Sequence, residues 1–329
     1  MDFSSLMGLA SGHVEARIVQ TAVELGVFDA LATSPARAET MALTLKLDQR
    51  AAELLLNALT SLQLLHKESE AFSLTEISKR HLVHSSPQYV GSMIRFDASL
   101  WQCWGKLTEA IRTGAPARPP NMYQDDPNET EVFINAMDSL VKARGDTDIM
   151  ASALDWSNIN RLLDVGSGPA TYPIALCNKF ATLRATVFDL PATLKITERY
   201  VRRAGMTERI ELIGGDYRTE SIPGTYDVVF LSNIIHGEGT DDNRALIRKV
   251  AACLQPSGCI VIKDHILEEN RAHPPVGAIF SLMMLLTTAS GRCYSFSEIK
   301  RWMELAGLRQ VQQIGLPAPL TSSLVIGRK

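Results

Sequence analysis

The stretch LLDVGSGPATYPIAL, from Leu162 to Leu176, changes character halfway along. Its first four residues form a short apolar run of the kind that makes a buried strand. Gly166 and Gly168 follow, one residue apart, and a segment of helical character begins beyond them. A strand handing over to a helix through such a turn exposes unpaired N–H groups at the helix start, and glycine lets backbone approach a ligand closely. Asp164 adds a carboxylate at the same point. The turn is expected to hold something small and polar.

From Arg161 onward this alternation recurs. RLLDVG, ATVFDL, RIELIG, YDVVFLS and GCIVIKD read as strands with helical stretches between them. Near-continuous apolar strands separated by helices predict an α/β, Rossmann-like, mostly parallel sheet covered on both faces. Two more strand candidates, near Gln310 to Gly315 and Ser322 to Gly327, have too short a connection for a parallel crossover. They predict an antiparallel pair at the sheet edge, making seven strands in all.

The first hundred residues read differently. HVEARIVQTAVELGVFDALA carries Val14, Ile18, Val19, Ala22, Val23, Val27 and Leu31 on helical spacing. LDQRAAELLLNALTSLQLL follows with Asp48 as its N-cap. HKESEAFSLT predicts two short strands around a polar turn, and Thr75 is placed to cap EISKRHL. Three helices and a two-stranded wing outline a winged-helix domain. As a DNA reader its second long helix is poor, because Gln49, Arg50, Glu53, Asn57 and Gln63 offer one Arg against one Glu. Its many leucines, among them Leu54, Leu55, Leu56, Leu59, Leu62, Leu64 and Leu65, predict burial against a second copy of the chain. TGAPARPPNMYQDDPNE, Thr113 to Glu129, reads as a loop before a helix from about Glu131 to Ala153.

A net charge of −3 gives no electrostatic case for nucleic acid or an anionic membrane. The run VGAIFSLMMLLTTASG is too short to span a bilayer, and the N-terminus lacks the basic and apolar regions of a secretory signal. Five scattered cysteines, never in C-x-x-C, predict neither a disulfide framework nor a zinc site, and the cytoplasm as compartment.

Three features define what the glycine turn holds. Asp189 ends the second strand in VFDLP, where a carboxylate can accept both hydroxyls of a ribose. Asp216 and Tyr217 follow the third strand, an acceptor and an aromatic face suited to adenine. Thr171 stands where the dinucleotide fingerprint needs its third glycine, so a ligand with ribose and adenine but no pyrophosphate fits better than NAD.

Together Asp164-Val-Gly-Ser-Gly, Phe188-Asp-Leu-Pro, Gly215-Asp-Tyr and YDVVFLSNIIH resemble the class I S-adenosylmethionine-dependent methyltransferases. Within them, the chain is most similar to the small-molecule O-methyltransferase family of plant phenolic and bacterial polyketide, phenazine and carotenoid enzymes. The resemblance covers nearly the whole chain. It implies an N-terminal winged-helix dimerisation domain over residues 1–98, hence a homodimer. It also implies a catalytic domain over 99–329, in which 99–155 is a helical linker lining the acceptor pocket. S-adenosylmethionine would be held by Asp164, Gly166, Gly168, Asp189, Leu190, Asp216, Tyr217 and Ser232.

A phenol is mostly protonated at neutral pH, so its methylation needs a base, and histidine suits that task. His236 follows the fourth strand where the resembled family carries its general base, and Asp264 matches the family's first acidic partner. Two departures stand out. SGRCYSFSE puts Arg292 and Cys293 where the plant enzymes have a glycine-lysine-glutamate turn, which leaves the acidic pair incomplete. HGEGTDD replaces the family's His-Asp-Trp. Glu238, Asp241 and Asp242 read as a cap and dipole partners for the following helix rather than a metal site, and no metal is expected. Trp101, Trp104, Met137, Phe280, Met283 and Met284, with Phe96 and Phe133, are candidates for a pocket taking an aromatic or apolar acceptor. The readings left open are O-methylation of a small, aromatic molecule, C- or N-methylation on the same fold, a cofactor-sensing winged-helix regulator, and a catalyst that binds the cofactor without transferring methyl.

Overall fold

The computed structural model describes residues 1–317 and 320–329. The chain divides into two compact units, Met1–Leu100 and Trp101–Lys329.

In the first unit, helix Phe3–Glu24 is capped by Asp2, whose carboxylate accepts the Ser5 N–H at 2.7 Å. It starts ten residues earlier than the periodicity predicts and does not run to Ala32. Gly26, at φ +75°, breaks it from the short helix Val27–Ala30. Helices Ala38–Leu45 and Gln49–Ser61 follow, the second capped by Asp48 through the Ala51 N–H as expected. Gln63, counted above as a position of that helix, lies beyond it. Strands β1 (Ala36–Arg37), β2 (Leu65–Glu68) and β3 (Ala71–Leu74) form a small antiparallel sheet in the order β1-β3-β2. β1 was not expected, being two residues long. Thr75 sits at the N-cap of helix Glu76–His81 but makes no side-chain cap; its hydroxyl turns to the Leu64 carbonyl instead. Phe28, Met41, Leu56, Leu59 and Phe72 form the core of this unit. Leu54 stays 57 % exposed, and Phe3, Leu6, Met7, Leu9 and Val14 of the first helix are exposed too.

The second unit opens with helices Trp101–Gly105, Leu107–Thr113 and Pro127–Arg144. The last begins at Pro127, capped by Asp126, rather than near Glu131, and Gly145 at φ +70° separates it from Asp146–Ala153. The sheet then follows: β4 (Arg161–Val165), β5 (Arg184–Asp189), β6 (Ile210–Gly214), β7 (Tyr226–Ser232), β8 (Leu254–Asp264), β9 (Arg309–Gly315) and β10 (Ser323–Arg328). Its order is β6-β5-β4-β7-β8-β10-β9. Five strands are parallel, and β10 pairs antiparallel with both β8 and β9. Both faces are covered, which is why β4, β5 and β7 are buried at nearly every position. The order reverses at β4, so a crevice opens at the carboxyl ends of β4, β5 and β7. No helix among the described residues is long and apolar enough to cross a membrane.

Candidate active site

That crevice is a cleft with about 1060 Å³ of free space, its open mouth included. Asp164, Gly166, Gly168, Asp189, Leu190, Asp216, Tyr217 and Ser232 all line it, and Met137 joins them from helix Pro127–Arg144. The parallel order brings these residues together from four separate strand ends.

The turn after β4 is held by its own carboxylates. Gly166 and Gly168 sit at φ +67° and +61°, where a side chain would be strained. A Cβ on Gly166 would also run into the δ-methyl of Ile234. Asp189 accepts the Gly168 N–H at 2.8 Å and the Leu190 N–H at 2.7 Å, so it grips the turn rather than capping the helix Pro191–Arg203. Burial raises its carboxyl to about 6, against the pull of those N–H donors. Asp164 accepts from the Ser167 hydroxyl at 2.7 Å through one oxygen, while its other oxygen is buried without a partner. Burial drives this carboxyl to about 8, with Ser167 opposing and the charge of Asp189 adding to the rise.

Across the cleft, Asp216 is bound by the Arg218 guanidinium at 2.8 Å, which holds its carboxyl below the usual range. The Tyr217 hydroxyl donates to Glu238 at 2.7 Å. Glu238 is therefore not a helix cap: Gly239 occupies that position, while Asp241 and Asp242 lie in the helix's first turn. This pairing fixes the Tyr217 ring in a chain lacking the family's tryptophan nearby.

His236 lies four residues past β7, in the 3-10 turn Ile235–Gly237 rather than on the strand itself. Its Nδ1 is 2.7 Å from Asp264 Oδ1 at the end of β8. Burial alone would raise the Asp264 carboxyl, but the charge and hydrogen bond of His236, with His265 beside it, hold it low. An ionised carboxylate can only accept, so Nδ1 donates, and a neutral ring in this orientation has its lone pair at Nε2. Gly291 presses against this turn from behind, and a Cβ there would run into the His236 carbonyl. Cys293 stands where the plant enzymes carry their second acid. It is a buried thiol driven to about 12 by burial and then by the Asp264 charge.

The acceptor candidates divide. The Phe280 ring stands edge-on to His236 at 4.9 Å between centroids. Trp101 and Trp104 lie on a helix packed against Pro275–Thr287, the helix that carries Phe280 and Met283. None of these lines the cleft described above. Met284 is buried at 7 % exposure and belongs to the interior. Sequence reading missed Arg144 and Tyr172, both in the cleft wall. Each is a lone residue whose place depends on how helices pack.

An O-methyltransferase domain model matches residues 104–309, and an O-methyltransferase dimerisation domain model matches 7–84. The chain belongs to the O-methyltransferase family. The enzyme thus transfers a methyl group from S-adenosylmethionine to a hydroxyl of a small molecule. It is 31 % identical to 3-hydroxy-5-methyl-1-naphthoate 3-O-methyltransferase of Streptomyces sahachiroi, over 98 % of this chain and 94 % of that protein. It is also 31 % identical to the tetracenomycin polyketide synthesis 8-O-methyl transferase TcmO of Streptomyces glaucescens, over 98 % of this chain and 96 % of that one. Its fold matches a crystal structure of human N-acetylserotonin methyltransferase in complex with SAM at a TM-score of 0.89 and 24 % identity, covering 100 % and 98 % of the two chains. The cleft of this methyltransferase suits such a donor. It offers bare glycine backbone, an unpartnered carboxylate oxygen for a cationic ligand, and a tyrosine face.

Proposed function

We propose that the methyltransferase acts on a hydroxyl of a small aromatic molecule, with His236 as general base and Asp264 orienting it. The observation that carries this reading is the imidazole held at 2.7 Å by a buried carboxylate, with the Phe280 ring against it. Asp189 would take the ribose, Asp216 and Tyr217 the adenine, and Asp164 and Arg144 the charged amino-acid end of the donor. Leu190 and Ser232 complete the cleft wall around it, and Gly166 and Gly168 give it bare backbone to lie on. When bound, the donor supplies a methyl group on a sulfonium ready for in-line displacement. His236 Nε2 then removes the hydroxyl proton as the acceptor oxygen attacks, and Asp264 stabilises the imidazolium. Phe280, Met283, Trp101 and Trp104 would form an apolar wall for a flat acceptor. Two relatives are named for naphthoate and tetracenomycin polyketide substrates, which favours an aromatic hydroxy compound. Incubating purified protein with S-adenosylmethionine and a panel of such compounds tests this directly. One methyl gained by a phenol supports the reading, and gain only by amines or carbon nucleophiles overturns it.

Asp189→Asn should weaken donor affinity about 10–100-fold, because it removes a charge-assisted acceptor and turns an amide donor toward the Gly168 N–H. Calorimetry on the folded variant reads this, and unchanged affinity removes Asp189 from the site. Gly166→Val should abolish binding, since it meets both a left-handed backbone and Ile234.

Residues 1–98 are assigned to dimerisation as a winged-helix domain, and 99–329 to catalysis, with 99–155 lining the acceptor side. The exposed Phe3, Leu6, Met7 and Leu9, with the dimerisation-domain match, support a homodimer. Light scattering should give about twice the 36.1 kDa chain mass. A monomer at micromolar concentration would sink this part. Five buried, unpaired cysteines fit a cytoplasmic protein. The helix Gln49–Ser61, with one Arg set against one Glu, supports neither nucleic acid as a partner nor a regulator's role.

A further inference from the structure

Behind the cleft lies a cluster of buried charges that the proposed chemistry does not use. Lys263, on β8 beside Asp264, is 1 % exposed, and its ammonium sits 3.0 Å from Asp146 Oδ2. The same oxygen receives the Arg144 guanidinium at 3.1 Å and the Tyr172 hydroxyl at 3.2 Å. The break at Gly145 sends Arg144 into the cleft wall and Asp146 into the interior. Two cations therefore share one carboxylate. Burying a lysine is costly unless it is paired, and a methionine or leucine would fill a β-strand interior at lower cost. A buried charge kept at this place has a consequence for its neighbours.

The cleft wall contains two cations among the described residues, Arg144 and Arg218. Arg218 is committed to Asp216 through two nitrogens. Without Lys263, Asp146 would neutralise Arg144 one to one. With Lys263 in place, Asp146 is matched from behind, and Arg144, Asp146 and Lys263 together keep one positive charge, which faces the cleft through Arg144, whose buried Nε has no protein partner. The ligand group that answers a planar guanidinium is a carboxylate.

We infer that Lys263 is a positioning residue for the amino-acid end of the cofactor: by matching Asp146 from behind the cleft it leaves the charge of Arg144 to the ligand's α-carboxylate. This rests on reading the cleft as the S-adenosylmethionine site. Lys263 itself touches no ligand; Asp146 transmits its effect, and Tyr172 fixes the carboxylate's angle.

Calorimetry on the full-length protein with two probes tests the inference. One probe is S-adenosylhomocysteine, and the other is 5′-methylthioadenosine, which shares its thioether and nucleoside but has no amino-acid end. Lys263→Met should weaken S-adenosylhomocysteine about 10–100-fold and leave 5′-methylthioadenosine within about twofold. Combining it with Asp146→Asn removes the carboxylate that captures Arg144, while the amide still accepts a hydrogen bond. That double variant should recover most of the S-adenosylhomocysteine affinity. A merely structural role for Lys263 would weaken both probes together and show no recovery. Equal losses, no loss, or a double variant that still fails to prefer S-adenosylhomocysteine would each overturn the inference. Should Lys263→Met be too unstable to measure, the double variant, which leaves no unpaired carboxylate or lysine in the interior, decides by its preference between the probes. Wild-type protein that binds neither probe would overturn the reading of the cleft as well.

Discussion

Replacing His236 with alanine should lower turnover by about 10²–10⁴-fold while donor affinity stays unchanged. The imidazole makes its ring hydrogen bond to Asp264, on the opposite side of the ring from Nε2, and it lines no part of the donor cleft. Its loss therefore removes a proton acceptor and leaves the cofactor contacts alone. Asp264→Asn should cost less. The amide oxygen can still accept from Nδ1 and from the His265 N–H, but it no longer stabilises the imidazolium. Rapid-quench turnover beside calorimetric binding reads both effects. Near-normal turnover in His236→Ala would defeat the general-base mechanism and leave catalysis to proximity alone.

The affinity for the donor should depend on pH through Asp164. Its carboxyl is raised to about 8 in the ligand-free protein by burial, with no cation bonded to it. At neutral pH it is largely protonated. A cationic ligand favours the ionised form, so binding must expel this proton. Affinity is then highest above pH 8 and falls by up to about tenfold per pH unit as the pH drops below it. The same shift acts on folding with the opposite sign. A carboxyl whose folded value lies above its unfolded value of roughly 3.9 stabilises the fold at low pH, and this contribution is lost as the pH rises toward 8. Donor should therefore add most to the thermal midpoint where the ligand-free protein is weakest. Binding heats in two buffers of different ionisation enthalpy count the protons released. Asp164→Asn should bind with a profile that is flat above pH 7, leaving only the Asp189 carboxyl, raised to about 6, to titrate below it, and a wild-type profile flat between pH 7 and 8 would remove Asp164 from this role.

The sheet was legible because its strands are buried on both faces and so appear as apolar runs needing no partner to be recognised. The cleft residues were legible for a related reason. Asp164, Asp189, Asp216 and Ser232 each lie within two residues of a strand's carboxyl end, and parallel strands put all such ends on one edge. The acceptor side was harder. Met283 and Met284 are neighbours on helix Pro275–Thr287, about 100° apart around its axis, so both could not face one pocket, and Met284 went to the interior. Lys263 is far in sequence from Arg144 and Asp146, and their meeting depends on the helix break at Gly145, which composition does not announce. The first helix was read short because the residues before His13 lack a buried stripe; the structure leaves their apolar side chains uncovered.

Gly291 sets a limit for redesign of this enzyme toward other acceptors. Substitutions at Phe280 or Met283 would change the proposed acceptor wall and leave the backbone in place. A single methyl added at Gly291 has nowhere to go, because it faces main chain at His236 and Gly237 as well as the Thr288 hydroxyl. Libraries that vary helix Pro275–Thr287 and hold the Ser290–Cys293 turn fixed would alter substrate preference while preserving the geometry of the base. Libraries that include Gly291 would return mostly inactive clones, whatever acceptor they are screened on.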